Sequence, residues 1–271
     1  MSAPAAVAAK QEATHFTQTV GKIRPIELPV RELGEFLGTL GEKIAQGDYG
    51  TIYEMRGHPE RLYKVIFLEK FESGDEIRIS EIAAQVGVSP AFHGAFLSTQ
   101  GEKQFVVIEI DHGGKTMGQW MEDLAELAPE AVADTEAQED PLSPKMRAFL
   151  EKLRANDPFQ VTAIEKKLRI GLDEAIDQMY EKPEDFYFEF FSKLKVLAEN
   201  HIAYGDSHVG NILPTPVMQL IDFDGASIEA SVEAAARKTM ESAYTIHHFR
   251  NFQKIEGLST DARILMEWFL A

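Results

Sequence analysis

Apolar positions recur at two different periods along this 271-residue chain. Residues 43–53 read as a strand, a tight turn around Gly47 and Gly50, and a second strand. Residues 61–67 (Arg-Leu-Tyr-Lys-Val-Ile-Phe) alternate and then run apolar, as a buried strand does, and so carry Lys64 into the interior. Residues 75–86 change to helical spacing, and Gly87-Val88-Ser89-Pro90 ends that helix. Residues 105–111 form a further apolar strand, followed by Gly113-Gly114. From there the 3.6-residue period dominates. Trp120-Met121-Glu122 opens a helix, 144–156 and 161–180 read as helices separated near Pro158, and 184–200 is a helix rich in phenylalanine. Two short apolar runs, Ile212-Leu213 and 217–221, read as paired strands, and 228–255 and 260–270 as helices. A short helix is expected within 25–40, and residues 1–20 read as a flexible leader without the basic start and apolar core of a cleaved signal peptide.

This is an α+β pattern, β-rich at first and helical afterwards. At 44% hydrophobic residues the chain can bury a real core and is long enough for two lobes. Lys and Arg number 27 against 44 Asp and Glu, a net charge of −17, which disfavours nucleic acid or an acidic membrane as partner and favours a basic one. With no cysteine there is neither a disulfide framework nor thiol chemistry. That suits a cytoplasmic fold and also a secreted bacterial protein that must unfold for export. No apolar stretch is long enough to span a bilayer as a helix. Residues 122–140 carry acids and no Lys or Arg, so the segment 122–141 is either a solvated insertion or a docking surface for a basic partner.

The chemistry concentrates in Tyr204-Gly205-Asp206-Ser207-His208-Val209-Gly210-Asn211, followed by Leu220-Ile221-Asp222-Phe223-Asp224. Phosphoryl transfer needs one carboxylate to orient the attacking hydroxyl and other oxygens to hold magnesium against the triphosphate. Asp206, Asn211 and Asp222 supply all three, with the two strands delivering Asn211 and Asp222 to one place. Upstream, Lys64 in an apolar strand costs desolvation energy unless an anion meets it. Nucleotide phosphate and a helix carboxylate would serve, and Glu76, three before Ile79 and seven before Ala83, lies on the inward face more naturally than Glu81.

With these motifs in this order, residues 40–225 resemble the protein-kinase-like superfamily. The resemblance implies a bilobal fold, with an N-lobe over 21–111 and a reduced helical C-lobe over 112–271 carrying the acidic insertion, and ATP held between the lobes. It implies Gly47, Gly50 and Ile52 at the nucleotide, Lys64 on its phosphates with Glu76 as partner, and Asp206 as catalytic base. Asn211 and Asp222 would be the magnesium ligands, with Asp224 an alternative to Asp222. Ile108 would stand near the gatekeeper position, and Glu109 to Asp111 would offer backbone groups to adenine.

Departures from the protein-kinase pattern bear on the substrate. Ala45 stands where the first glycine of the phosphate loop would be, Tyr204-Gly205-Asp206 replaces His-Arg-Asp, Asp222-Phe223-Asp224 replaces Asp-Phe-Gly, and no Ala-Pro-Glu follows. The Gly-Asp-x-His-x-x-Asn form is similar to that of aminoglycoside and choline kinases, while the short tail resembles the reduced kinases that bacteria inject into host cells. The expectation is an ATP- and magnesium-dependent protein kinase acting on Ser or Thr more than Tyr, with a protein substrate, a host protein included. A small-molecule kinase or a nucleotide-binding pseudokinase is the alternative. His247 and His248 are expected to have no catalytic role.

Overall fold

The computed structural model describes residues 17–47, 50–100, 103–127, 171–214, 216–255, 257 and 267. The fold is mixed α+β, and its described part holds one large sheet and seven helices. The chain divides into two compact units, Met1–Ile77 with Phe92–His112, and Arg78–Ala91 with Gly113–Ala271.

The first unit is built on a seven-stranded sheet. In chain order the strands are β1 (Thr17–Val20), β2 (Ile26–Arg31), β3 (Leu40–Gln46), β4 (Gly50–Met55), β5 (His58–Phe67), β6 (Phe92–Gln100) and β7 (Lys103–Asp111), and they lie side by side as β1-β2-β6-β7-β5-β4-β3. All neighbours are antiparallel except β2 and β6. Because side chains alternate across a strand, the sheet has two faces with different cores. One face carries Ile66, Leu97, Val106 and Ile108, which pack with Ile77 and Phe71. The other carries Tyr63, Phe96 and Val107 against Phe36 of helix α1 (Leu33–Thr39), with the three aromatic rings meeting edge to face.

In the second unit the core gathers around α5 (Pro183–Glu199), whose Phe186, Tyr187, Phe190, Phe191, Leu194 and Leu197 are all buried. Packed with it are α3 (Met117–Leu127), α4 (Leu172–Met179), α6 (Val232–Glu241) and α7 (Ala243–Gln253). Two small antiparallel ladders complete the unit: β8 (Ile202–Ala203) with β11 (Ser227–Ile228), and β9 (Ile212–Leu213) with β10 (Gln219–Leu220). The division between units falls within α2 (Asp75–Gln85), after Ile77. The expected first lobe includes residues 78–91, yet Ile79, Ala83 and Val88 are buried in the core of the second unit. Gly87 ends α2 at φ +71°, with Val88 N–H donating to Ala83 O and Gly87 N–H to Ala84 O. This is the left-handed cap expected from the glycine.

Several boundaries differ from the sequence reading. The last four residues of the expected leader, Thr17–Val20, form β1 because β2 supplies a partner ladder; residues 1–16 lie outside the described residues. Residues 25–40 hold a strand and then α1, not a helix alone. The expected helix over 228–255 is broken into α6 and α7, since the hydroxyls of Ser231 and Ser242 each cap a helix start by accepting from Ala234 N–H and Thr245 N–H. Of the expected acidic insertion, 122–127 belong to α3, and 128–141 lie outside the described residues, as do the expected helix 144–156 and the first part of 161–180. The expected helix over 260–270 lies outside them too, apart from Glu267. Among the described residues no helix is long and apolar enough to cross a membrane.

Candidate active site

In the first unit, strand register brings Lys64 of β5 opposite Ile52 of β4 on one side and Ile108 of β7 on the other. Glu76, in the first turn of α2, places its carboxylate 2.6 Å from Lys64 Nζ, and both side chains are nearly buried, at 13% and 11% exposure. The start of that helix is held by Arg24, which pairs with Asp75 at 3.0 Å, and by Gly74 N–H donating to Arg24 O. Gly74 is obligatory, because a Cβ there would lie 2.7 Å from Arg24 O and from Ile26 Cβ.

Neither Gly47 nor Gly50 of the hairpin has a positive φ. Gly50 is needed for close approach, since a Cβ would come 3.0 Å from Val65 O and 3.2 Å from Ile66 Cγ1. Gly47 N–H donates to Gly50 O at 2.9 Å and closes the turn; Asp48 and Tyr49 lie outside the described residues.

Glu109 to Asp111, the residues expected at adenine, close strand β7. Glu109 is paired on both sides, with Tyr63 and Gly94, and its carboxylate accepts from Arg61 at 2.7 Å on the face opposite Lys64. Its backbone is spent on the ladder. Ile110 is likewise paired with Leu62 and Phe92, whereas Asp111 has a partner only in β5, at Arg61. Asp111 is therefore the first of the three whose backbone stands at the ladder's end. Its side chain takes a contact from His93 instead of pointing along the Lys64 face. Ile110, not Ile108, is the last apolar residue on the Lys64 face before the strand ends.

In the second unit, the loop from Tyr204 to Asn211 is held by several polar bonds. Asn211 Nδ2 donates both to Asp206 O and to Asp206 Oδ2, each at 3.0 Å. Asn211 O accepts from Ile221 N–H at 3.0 Å, which ties the loop to the end of β10. Tyr204 is fully buried, its N–H donates to Thr239 Oγ1 and its hydroxyl donates to Ile221 O at 2.6 Å. Its ring also meets Phe223 at 5.4 Å. Tyr204 thus joins the Asp206 loop to the Asp222 segment from inside the core.

Asp222 follows immediately and has φ +62°, a left-handed conformation that an aspartate adopts at a cost. The surrounding bonds hold it there: Tyr204 grips the carbonyl of Ile221, Phe223 is buried, and Ala226 N–H donates to Phe223 O. A Cβ on Gly225 would stand 3.5 Å from Asp206 Cβ, so the 222–225 turn lies against Asp206. Burial pushes the Tyr204 phenol well above its usual range, and the carboxylates of Asp222, Asp206 and Asp224 push it further. Three negative side chains therefore act on one buried point.

A hard divalent cation suits this donor set. Asn211 spends its amide N–H groups on Asp206 and so turns its oxygen elsewhere, while Asp222 and Asp224 are oxygen donors close by. Among the described residues no group of three or more His, Cys, Asp or Glu side chains forms a ready metal cage. Magnesium does not need one, since it is held by one or two carboxylates plus substrate phosphate and water.

Helix α7 braces this loop, which the sequence reading did not foresee. Ser207 and Thr245 share a hydroxyl bond of 2.8 Å, Ser242 donates to Thr245, and His248 Nε2 donates to Ser207 O at 2.8 Å. His248 is buried, and desolvation lowers its pKa to about 4. It supports the loop from within the core. Helical spacing in 243–253 reveals an inward face but not which carbonyl a histidine there would meet.

Comparison with known proteins returned no matching family model and no matching curated protein.

Proposed function

We propose that the chain is an ATP- and magnesium-dependent protein kinase of the bilobal kinase-like class, acting on a Ser or Thr hydroxyl of a protein. The observation that carries this reading is the Asp206–Asn211–Ile221 constellation: a carboxylate and a metal-suited amide oxygen fixed by the same amide group, with Asp222 delivered beside them in a left-handed conformation. Further support comes from the Lys64–Glu76 pair on a strand followed by a helix, and from the strand order β6-β7-β5-β4-β3 around it.

In this reading Lys64, oriented by Glu76, binds nucleotide phosphate, and Gly47, Gly50 and Ile52 line its approach. Asn211 and Asp222 would hold magnesium, which supplies charge neutralisation on the phosphates. Asp206 accepts the proton of the acceptor hydroxyl as its oxygen bonds to the γ-phosphorus. The bond from that phosphorus to the bridging oxygen breaks, and ADP leaves.

The test is incubation of the protein with magnesium and γ-labelled ATP in a eukaryotic cell lysate beside Asp222→Asn and Asp206→Asn. Labelled protein that depends on both residues is expected, with ATP binding weakened by Asp222→Asn and spared by Asp206→Asn. The Gly-Asp-x-His-x-x-Asn form makes transfer to an aminoglycoside or choline the second reading, and label found only on such an acceptor would establish it. Nucleotide binding without any transfer would instead make the chain a pseudokinase.

A further inference from the structure

His208 stands two residues from Asp206 and is held from three sides. Its Nδ1 accepts Gly210 N–H at 3.0 Å. Its ring lies so close over Gly210 that a Cβ there would come 2.7 Å from Cε1 and 2.9 Å from Nδ1. Against it stands the ring of Tyr244, with centroids 5.4 Å apart and planes at 62°. Since Nδ1 accepts, the ring proton sits on Nε2, and Nε2 lies 3.6 Å from Asp206 Oδ2.

That distance is too long for a hydrogen bond, yet a small rotation of the carboxylate would make one. Catalytic contacts commonly tighten in this way when substrate binds. Oδ2 is also the oxygen to which Asn211 donates. Both donors therefore address the same oxygen of Asp206, and Oδ1 is the one left for an acceptor.

Tyr244 is 48% exposed, so burial does not explain its place. It sits in the first turn of α7, the helix bonded to the same loop through Thr245 and His248. The helix thus fixes the loop on its inner side and the His208 ring on its outer side.

We propose that His208 and Tyr244 are positioning residues for phosphoryl transfer, Tyr244 and Gly210 holding the Nε2–H of His208 toward Asp206 Oδ2 so that Oδ1 faces the acceptor hydroxyl. The inference rests on the kinase reading and extends it to two residues that neither bind nucleotide nor take the transferred proton. His208 ends the reaction with the proton it started with. The hydroxyl proton goes to Asp206, the phosphoryl group to the acceptor oxygen, and ADP leaves.

The test measures phosphate transfer from γ-labelled ATP to lysate protein, together with release of inorganic phosphate to water, for the full chain and for His208→Ala, Tyr244→Ala and Tyr244→Phe. Misplacing a reacting group by about 1 Å costs on the order of a hundredfold. His208→Ala should therefore lower kcat by about tenfold to a hundredfold while KM for ATP stays within about twofold. Added imidazole should restore part of the loss. Tyr244→Ala should lower kcat in the same sense, and Tyr244→Phe, which keeps the ring edge, should recover it. Long-range proton–nitrogen spectra of histidine-labelled protein should show His208 as the Nε2–H tautomer in the wild type and in Tyr244→Phe, and as a tautomer mixture in Tyr244→Ala. An active wild type with kcat indifferent to His208→Ala, or a wild-type His208 in the Nδ1–H form, overturns this inference alone. A wild type that neither transfers nor hydrolyses ATP overturns the kinase reading and the inference with it.

Discussion

His248 offers a prediction that needs no assumption about catalysis. The imidazole is buried beneath the Asp206 loop, donating through Nε2 to Ser207 O, and its Nδ1 has no hydrogen-bond partner. A second proton would sit on Nδ1, in a site with no acceptor and next to His247. Desolvation therefore lowers the pKa from the usual 6.5 to about 4. Above pH 6.5 the residue is neutral folded or unfolded and contributes nothing to pH dependence. As pH falls below that, the unfolded chain takes up a proton that the folded chain refuses, and stability is lost until about pH 4. At about 1.4 kcal/mol per pH unit the full loss is about 3 kcal/mol, and about 2 kcal/mol of it is reached by pH 5.

The assay is urea unfolding followed by circular dichroism at pH 8, 6.5 and 5, for the wild type and for His248→Gln. Glutamine keeps a donor for Ser207 O but does not titrate. Carboxylates titrate in both proteins, so the difference between the two pH profiles isolates the histidine. The wild type should lose about 2 kcal/mol more than the variant between pH 8 and pH 5. Parallel profiles would refute the argument, for they would mean that the folded protein accepts the proton as readily as the unfolded chain.

Glu76→Ala takes from Lys64 a nearly buried partner only 2.6 Å away, so it should destabilise the fold by on the order of 1–3 kcal/mol. Replacing both, as Lys64→Met with Glu76→Leu, should recover most of that loss; a double-mutant cycle in urea with no coupling would contradict the pairing. Gly113→Ala should cost about 1–3 kcal/mol through overpacking, because its Cβ would overlap Leu213 Cδ1 and lie 2.9 Å from Pro90 Cγ. Since Leu213 lies two residues beyond Asn211, the same substitution should broaden the amide signals of the Asp206 loop, and an unchanged urea midpoint would count against the close approach.

The sequence alone determined what depends on neighbours in the chain. Period-2 and period-3.6 patterns placed β3 to β5, α2, β7 and α5, because alternation and helical spacing follow from backbone geometry before any partner is chosen. The five-residue interval between Asp206 and Asn211 was enough to anticipate a shared loop, and the apolar runs beside it anticipated the β9–β10 pairing. Lys64 with Glu76 was legible too, since a lysine in an apolar strand demands a nearby anion.

Tertiary structure decided everything that depends on a partner distant in sequence. β1 and β2 exist as strands only because each finds a neighbour to complete its ladder, and no local signal in 17–31 announces that neighbour. Glu109 loses its backbone to the sheet because register, which sequence does not specify across 46 residues, sets it between Tyr63 and Gly94. The grip of Tyr204 on Ile221 O and the brace of Thr245 and His248 on Ser207 likewise join residues far apart in the chain. Such bonds form where packing removes water and leaves each polar group to find another. That choice belongs to the folded core, not to any stretch of chain that contributes to it.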